Sequence, residues 1–160
     1  MFENIIKNVH NRHPLIHCIT NYVSINDCAN IVLACGGAPI MAEDINEVSQ
    51  ITSICQGLDI NIGMLNDNKL SSMLKAGATA NELGIPVILD PVGAGSSDYR
   101  IKAVQNLMSN VQFGVIRGNV SEIKAIAAKQ GIHNIAAGVY ETMQKNKSAM
   151  GVEAGIADKL

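Results

Sequence analysis

The stretch AGATANELGIPVILDPVGAG, residues 76–95, holds the parts of one α/β unit in consecutive order. It begins inside a segment of helical spacing, residues 69–83, and that segment stops at Gly84, where a glycine commonly follows the last helical turn. The apolar run 86–90 is typical of a strand buried on both faces. Asp90 then precedes a proline and a glycine-rich loop. The stretch therefore predicts a helix, a buried strand and a polar loop at the carboxyl end of that strand.

The same unit recurs along the chain, where short runs rich in Val and Ile alternate with longer segments of helical spacing. The predicted strands are 15–20, 38–41, 58–62, 86–90 and 113–117. The predicted helices are 27–35, 47–55, 69–83, 100–108, 121–129 and 135–145. This alternation predicts an α/β fold with a mostly parallel sheet and helices on both faces.

Length and composition limit the class of protein. With 160 residues the chain is expected to form one domain, residues 1–160. Hydrophobic residues at 48% and charged residues at 16% are far from the composition of disordered chains. A net charge of -2 and 3% aromatic residues argue against nucleic acid as a partner, because neither a basic stripe nor a stacking surface is present.

The compartment is predicted from apolar patterning and cysteine usage. The N-terminus lacks the continuous apolar core of a signal peptide, and IVLACGGAPIMA is too short to span a bilayer, so a cytoplasmic protein without membrane contact is expected. The four cysteines lie in apolar segments without a C-x-x-C pair, which predicts buried free thiols in a reducing compartment. They are Cys18, Cys28, Cys35 and Cys55.

Three histidines near the N-terminus raise a metal-site hypothesis. His10, His13 and His17 are separated by Pro14, so they would not share one helix face as metal ligands. We favour the other interpretation, in which His17 is a hydrogen-bonded strand histidine. Among the methionines, Met64, Met73 and Met108 are expected to fill the core, whereas Met41 could line an apolar pocket.

Polar residues close the predicted strands. In an open α/β sheet, ligands bind beyond the carboxyl ends of the strands, and here those ends read CITN, PIMAED, NIGML, LDPVGAG and IRGN. Side chains that can hydrogen bond stand at these ends, and glycines permit close approach of the backbone to a ligand. The residues are Thr20, Asn21, Asp90, Arg117 and Asn119. The pattern predicts a ligand site at this edge of the sheet.

Two alternatives stay open for the most polar of these ends. Asn119 and Glu122 form an N-x-x-E pair at a helix start, which helix capping alone explains. Arg117 favours an anion site instead, because an arginine at the end of a buried strand requires an anion or an acid, for which Asp90 is a candidate. The Asp90 carboxylate could bind Mg²⁺ near phosphates or, equally, form an Asx-type turn. The chain has neither a P-loop nor a Rossmann fingerprint.

Taken together, these segments resemble a known family. HPLIHCITNYV, GGAPIMAEDINEV, INIGML, AGATANELGIPVILDPVGAG and VIRGNVSEI occur in the order typical of the hydroxyethylthiazole kinases of thiamine salvage, which are ribokinase-like enzymes. The resemblance runs from about His13 to Glu122. It implies ATP-dependent phosphorylation of 4-methyl-5-(2-hydroxyethyl)thiazole with Mg²⁺, in a homotrimer whose thiazole sites lie between subunits.

The resemblance also assigns residues. By position, Asn21, Val23 and Met41 resemble the thiazole contacts. Arg117 and Asn119 resemble the side that binds ATP and its phosphates. Asp90 and Glu122 resemble the residues that hold the metal, directly or through water.

The sequence departs from the family pattern towards its end. Family members continue into a G-[TA]-G-C loop that carries the anion hole and a catalytic cysteine, and no G-x-G-C occurs in this sequence. None of the catalytic residues of that loop is therefore expected here, and the chain is expected to be a truncated N-terminal portion with most of the rate lost. The alternative is a non-catalytic module for thiazole binding or assembly. A kinase for a pyrimidine alcohol is a third reading, which CITNYV and PIMAED disfavour.

Overall fold

The computed structural model describes residues 2–129, and the predicted helix 135–145 lies outside them. Strands and helices alternate through most of this part of the chain. The strands are β1 (Leu15–Ile19), β2 (Ala38–Met41), β3 (Gly57–Asn61), β4 (Val87–Asp90) and β5 (Val115–Ile116). The helices are α1 (Phe2–Arg12), α2 (Ile25–Ala34), α3 (Val48–Ser53), α4 (Asp67–Glu82), α5 (Asp98–Asn110) and α6 (Val120–Lys129).

The five described strands form one parallel sheet in the order β2-β1-β3-β4-β5. The chain steps from β1 outward to β2, then passes back over β1 to β3 and continues in the opposite direction. Because crossover connections are right-handed, this reversal places α2 on one face of the sheet and α3, α4 and α5 on the other. The predicted α/β class, with a parallel sheet and helices on both faces, is confirmed. Ligands are expected where the strand order reverses, between the carboxyl ends of β1 and β3.

The core lies between the sheet and the layer that contains α3, α4 and α5. Alternate residues of β3 and β4 point into it and are almost fully buried, including Leu58, Ile60 and Leu89. Gly77 of α4 lies so close to Val111 that an added Cβ would approach a Val111 methyl group to 2.5 Å. This layer therefore fixes α4 and α5 against the sheet, and the loops that begin each helix are held at the carboxyl edge.

Several predicted details are wrong. Helix α1 was not among the predicted elements. Strand β5 is shorter than the predicted strand 113–117, although the backbone amides of Gly114 and Arg117 still donate to the carbonyls of Val87 and Leu89. Met64 is 45% exposed instead of filling the core, because it lies in the loop after β3.

The cysteine prediction holds in part. Cys18 and Cys55 are buried free thiols, whereas Cys28 is half-buried and Cys35 is exposed. Cys35 follows the last turn of α2 and directly precedes Gly36, so its side chain lies at the solvent side of a helix end. Within residues 2–129, none of the helices is long and apolar enough to cross a membrane.

Candidate functional site

A hydrogen-bonded chain of side chains crosses the carboxyl ends of four neighbouring strands. Asn61, at the end of β3, donates through Nδ2 to Asp90 Oδ2 at 2.9 Å and accepts from Asn21 Nδ2 at 3.3 Å. Arg117 Nη2 donates to the same Asp90 oxygen at 2.8 Å. The acid that meets Arg117 is thus Asp90, and Asn61 connects this pair to the end of β1. Of the five polar strand-end residues predicted from the sequence, Asn21, Asp90 and Arg117 belong to this network. The Thr20 hydroxyl lies near Cys28 Sγ instead, and Asn119 pairs with Glu122.

Two carboxylates in and beside this network have raised pKa values. Burial raises the pKa of Asp90; Arg117 opposes that shift, Glu122 adds to it, and the net pKa lies above the ordinary value. Asp59 is half-buried and lies two positions before Asn61 on β3, on the same face of the sheet. Burial and Asp90 raise its pKa to about 6, against the effect of Arg117. The site therefore holds more negative charge than Arg117 alone neutralises, which suits the binding of a cation.

Glu122 ties the start of α6 to the loop after β4. Its Oε2 accepts from the Asn119 amide at 2.8 Å, while Asn119 Oδ1 accepts from the Glu122 amide at 3.0 Å, so the predicted capping box is confirmed. The other oxygen, Oε1, accepts from the Gly93 amide at 2.9 Å. Gly93 has φ +65°, which favours glycine, and a Cβ on Gly118 would lie 2.9 Å from Glu122 Oε2. Both glycines are required for the carboxylate to sit where it does.

Arg100 holds two of these loops together. Its guanidinium donates to the carbonyls of Ile62 and Val92 at 2.6 and 2.9 Å, and to that of Gly63 at 2.8 Å. The loops after β3 and β4 are thus joined by one side chain from the first turn of α5. The planar guanidinium group suits this arrangement because its several donors have fixed directions.

The fit of Mg²⁺ to these residues can be judged from the hydrogen bonds. Mg²⁺ commonly takes one or two carboxylates together with phosphate oxygens and water. Asp90 uses Oδ2 for Asn61 and Arg117, which leaves Oδ1 for a cation. Both oxygens of Glu122 already accept backbone amides, so a water between Glu122 and the ion fits better than direct contact. Within the described residues, no group of three or more His, Cys, Asp or Glu side chains is placed to hold a metal.

A small pocket of about 230 Å³ opens beside the end of β1. Met41, Cys18 and Ile25 provide apolar or soft surface, and Thr20 and Glu43 provide groups that can hydrogen bond; Tyr22 and Ala42 complete the lining. Burial raises the pKa of the Cys18 thiol to about 12, so it contributes as an apolar group and not as a thiolate. The pocket has the character of a site for a small, mostly apolar molecule with one polar end.

His17 fixes one wall of this pocket. It is fully buried on β1; its Nε2 donates to the Ala42 carbonyl at 2.8 Å and its Nδ1 accepts from the Thr52 hydroxyl at 2.9 Å. The interpretation as a hydrogen-bonded strand histidine is confirmed. Burial lowers the pKa of His17, while the Ala42 carbonyl and Glu47 oppose that shift, so the ring is neutral at physiological pH. It holds the Met41–Ala42 segment against β1.

The residues assigned by resemblance fall into two groups in the structure. Met41 lines the small pocket. Asn21 is not among the lining residues but lies in sequence between two of them, Thr20 and Tyr22, and its Oδ1 accepts from the Ser24 amide and hydroxyl. Val23 is 93% exposed and does not line this pocket. Asp90 and Arg117 form one ion pair, and Asn119 and Glu122 form the adjacent cap. The network through Asn61 joins the two groups.

Four residues near the site were missed by the sequence analysis. Asn61, Asp59, Lys69 and Arg100 were not singled out as site residues, although Asp59 gave a signal as a charge inside an otherwise apolar strand. Lys69 is 3% exposed and forms an ion pair with Glu43 at 2.7 Å. A lysine in a helical segment gave no sign of such burial, because lysines at that kind of position are usually solvated.

Comparisons with a family model and with individual proteins point to the same family. Residues 6–160 match the model of the hydroxyethylthiazole kinase family. A protein of Clostridium acetobutylicum named hydroxyethylthiazole kinase is 61% identical over 132 residues, which cover 82% of this chain and 48% of that protein. A protein of the same name from Clostridium beijerinckii is 47% identical over 153 residues, covering 96% of this chain and 54% of its own length.

A solved structure agrees with the sequence matches. The structure of the hydroxyethylthiazole kinase protein from Pyrococcus horikoshii OT3 superposes with a TM-score of 0.78 at 40% sequence identity. The superposition covers 80% of this chain and 50% of that one. The chain spans about half the length of the curated relatives it matches.

Proposed function

The chain belongs to the hydroxyethylthiazole kinase family, and from this premise we propose that the protein transfers the γ-phosphoryl group of ATP to the primary alcohol of 4-methyl-5-(2-hydroxyethyl)thiazole. The observation that carries the proposal is the hydrogen-bonded network from Asn21 through Asn61 and Asp90 to Arg117. It runs from Asn21, which lies in sequence between two pocket-lining residues, to a charged strand end, and a transfer from a nucleotide to a small alcohol requires such proximity.

In this proposal the small pocket takes the thiazole ring. Met41 packs against the ring, and Asn21 orients the alcohol towards the charged end of the network. Val23 is exposed in the single chain and contacts substrate only where a second subunit covers it, as the trimer implied by the family resemblance would provide. The roles of these residues in substrate binding are thus proposed from their positions.

The charged end of the network takes the phosphates. The Arg117 side chain is 71% exposed, so its guanidinium can contact phosphate oxygens while Nη2 stays paired with Asp90. Asn119 stands at the start of α6, where the positive end of the helix attracts anions. Mg²⁺, when bound, would neutralise charge on the transferring phosphates, with Asp90 as its carboxylate and Glu122 acting through water.

The proposed assembly is a homotrimer in the cytoplasm, as the family resemblance implies. Apolar side chains stand exposed on α2 and on the loop before it: Val23 is 93%, Ile31 61% and Leu33 56% exposed. None of the residues of α2 is fully buried in the described part of the chain. Such a surface favours association, so we expect the isolated chain to be oligomeric or only marginally stable. A monomer that unfolds sharply at high temperature would contradict this expectation.

The substrate class is tested by thermal unfolding with two alcohols. We expect hydroxyethylthiazole to raise the melting temperature of the folded chain and a hydroxymethylpyrimidine to leave it unchanged, because stabilisation reports binding to the folded state. The reverse result would overturn the substrate assignment.

Phosphoryl transfer is measured separately, by the mass of the phosphate ester formed with Mg²⁺ and ATP. The chain is mixed with the part of the Clostridium acetobutylicum relative that follows the matched region. We expect the ester in that mixture. A folded, associated mixture that hydrolyses ATP without forming the ester would contradict a kinase for this alcohol.

A further inference from the structure

Two pockets at the carboxyl edge of the sheet share a wall. The small pocket of about 230 Å³ lies beside β1. A larger pocket of about 580 Å³ lies beside the first turn of α4. Glu43 lines both of them, whereas Lys69 lines the larger pocket and Tyr22 the smaller. Glu43 is thus the shared residue, with Lys69 on the side of the larger pocket and Tyr22 on the side of the smaller one.

The wall is held together by direct contacts among its members. Lys69 Nζ pairs with Glu43 Oε2 at 2.7 Å, donates to the Thr20 carbonyl at 2.5 Å, and lies 4.6 Å from the centre of the Tyr22 ring. The Tyr22 hydroxyl donates to the other Glu43 oxygen, Oε1. Glu43 thus accepts one strong hydrogen bond on each oxygen. Burial acts to raise the pKa of Glu43, but the bonds from Lys69 and Tyr22 outweigh it, and the net pKa lies below the ordinary value.

The position of Lys69 is unfavourable apart from these contacts. Its side chain is 3% exposed, although lysine is almost never fully buried. It also lies in the first turn of α4, just after the N-cap Asn66, where the helix dipole disfavours a positive charge. Neither the fold of α4 nor its cap requires a lysine here. The arrangement therefore points to a role for the charge at the pockets themselves.

We propose that Tyr22, Glu43 and Lys69 form a partition that limits the size of the alcohol the small pocket accepts. The inference rests on the proposed function for its choice of ligand. Lys69 lines the larger pocket, and its Nζ reaches Glu43 and the Thr20 carbonyl, which belong to residues that line the smaller one. A substrate with a bulkier ring substituent would have to displace the ion pair, whereas the parent thiazole alcohol fits on one side of it.

The experiment measures ligand selectivity by calorimetry on the 160-residue chain and its variants. The probes are hydroxyethylthiazole and two analogues that carry a phenyl group, one in place of the C4 methyl and one on C2. We expect the wild-type chain to bind at least one analogue about tenfold or more weakly than the parent, a discrimination within the range of pocket exclusion. In Lys69→Ala we expect that gap to close to about threefold or less, because the pocket extends into its neighbour.

Matched variants separate the partition from a general loss of structure. Lys69→Arg keeps the positive charge on a side chain that is at least as long, and should keep the selectivity ratio. Lys102→Ala removes an exposed lysine of α5 and should leave the ratio unchanged. Glu43→Ala opens the wall from its more exposed side and should relax selectivity even where Lys69→Ala fails to fold. Selectivity ratios that are equal in the wild type, Lys69→Ala and Glu43→Ala would overturn the proposal.

A crystal structure of a partition variant decides the question without any ligand. We expect one continuous cavity in Lys69→Ala or Glu43→Ala where the wild type has two. Two separate cavities in the variant would overturn the partition. If the wild-type chain binds none of the alcohols, the proposed substrate is wrong, and this structural result still supports or refutes the partition.

Discussion

Replacing Asn61 by leucine removes the residue that joins the two halves of the site. Leucine has nearly the same shape, so the substitution deletes hydrogen bonds without opening a cavity. Asn61 is 7% exposed, and water cannot readily replace what is lost. The Asp90 carboxylate loses a donor, the Gly63 amide loses the acceptor 2.8 Å away, and Asn21 loses its 3.3 Å contact.

The magnitude follows from these three losses. A hydrogen bond to a charged group contributes about 1.5–3 kcal/mol and a neutral one about 1 kcal/mol, while the long contact to Asn21 adds little. We expect Asn61→Leu to lower the free energy of unfolding by about 3 kcal/mol, which corresponds to roughly 6–12 °C in the melting temperature of a chain this size. Nucleotide affinity should fall with Mg²⁺ present by about tenfold, because Asp90 loses one of the groups that orient it.

The assay is urea unfolding followed by circular dichroism, with Asn106→Leu as the control. Asn106 is exposed on α5, so its replacement should change the free energy of unfolding by less than about 0.5 kcal/mol. Asn61→Asp is a second probe, since it sets a second carboxylate against Asp90 and should be more destabilising at pH 8 than at pH 5. If the free energy of unfolding of Asn61→Leu lies within about 0.5 kcal/mol of that of the wild type, the Asn61 hydrogen bonds do not stabilise the site and the expected loss is wrong.

Three further predictions concern the surroundings of the network. Because burial and Asp90 raise the pKa of Asp59 to about 6 from 3.8, the stability tied to its protonated form is present at low pH and lost as the pH rises through about 6. Asp59→Asn should therefore be neutral near pH 4 and stabilise by about 1–3 kcal/mol at pH 8 in urea unfolding, and an equal effect at both values would contradict this. Gly118→Ala should destabilise by about 1–3 kcal/mol in the same assay, because its Cβ would lie 2.9 Å from Glu122 Oε2. In the control Gly114→Ala the added Cβ makes an ordinary contact at 3.7 Å, and equal stabilities of the two variants would contradict the prediction. Glu122→Gln should keep most of the cap yet weaken binding of the Mg²⁺-nucleotide complex about tenfold by titration calorimetry, and unchanged affinity would limit Glu122 to capping.

Some of the site could be predicted because its signals are local. Asp90 and Arg117 each close an apolar run, and the spacing of Asn119 and Glu122 is readable within four positions. The rule that ligands bind at the carboxyl ends of parallel strands then brings them to one edge without knowledge of the strand order. The same rule did not single out Asn61, whose partners Asn21 and Asp90 are 40 and 29 positions away.

Other parts of the site depend on the packing of distant segments. Tyr22, Glu43 and Lys69 come from the loop after β1, the loop after β2 and the first turn of α4, and nothing in any of these segments indicates the other two. The length of β5 likewise depends on having β4 as its one partner within the described sheet, which leaves Val115 52% exposed. The single domain of residues 1–160 stays a prediction.

We expect the pocket beside Met41 to bind the thiazole alcohol, and direct titration tests this binding. The measurement is calorimetric titration of hydroxyethylthiazole into the folded chain, into Met41→Ala, and into Met64→Ala as a matched control, because Met64 is exposed and does not line this pocket. The expected result is saturable binding to the wild type and the control, and binding about tenfold weaker to Met41→Ala. Absence of saturable binding to the folded wild-type chain, or equal affinities for the wild type and Met41→Ala, would contradict it.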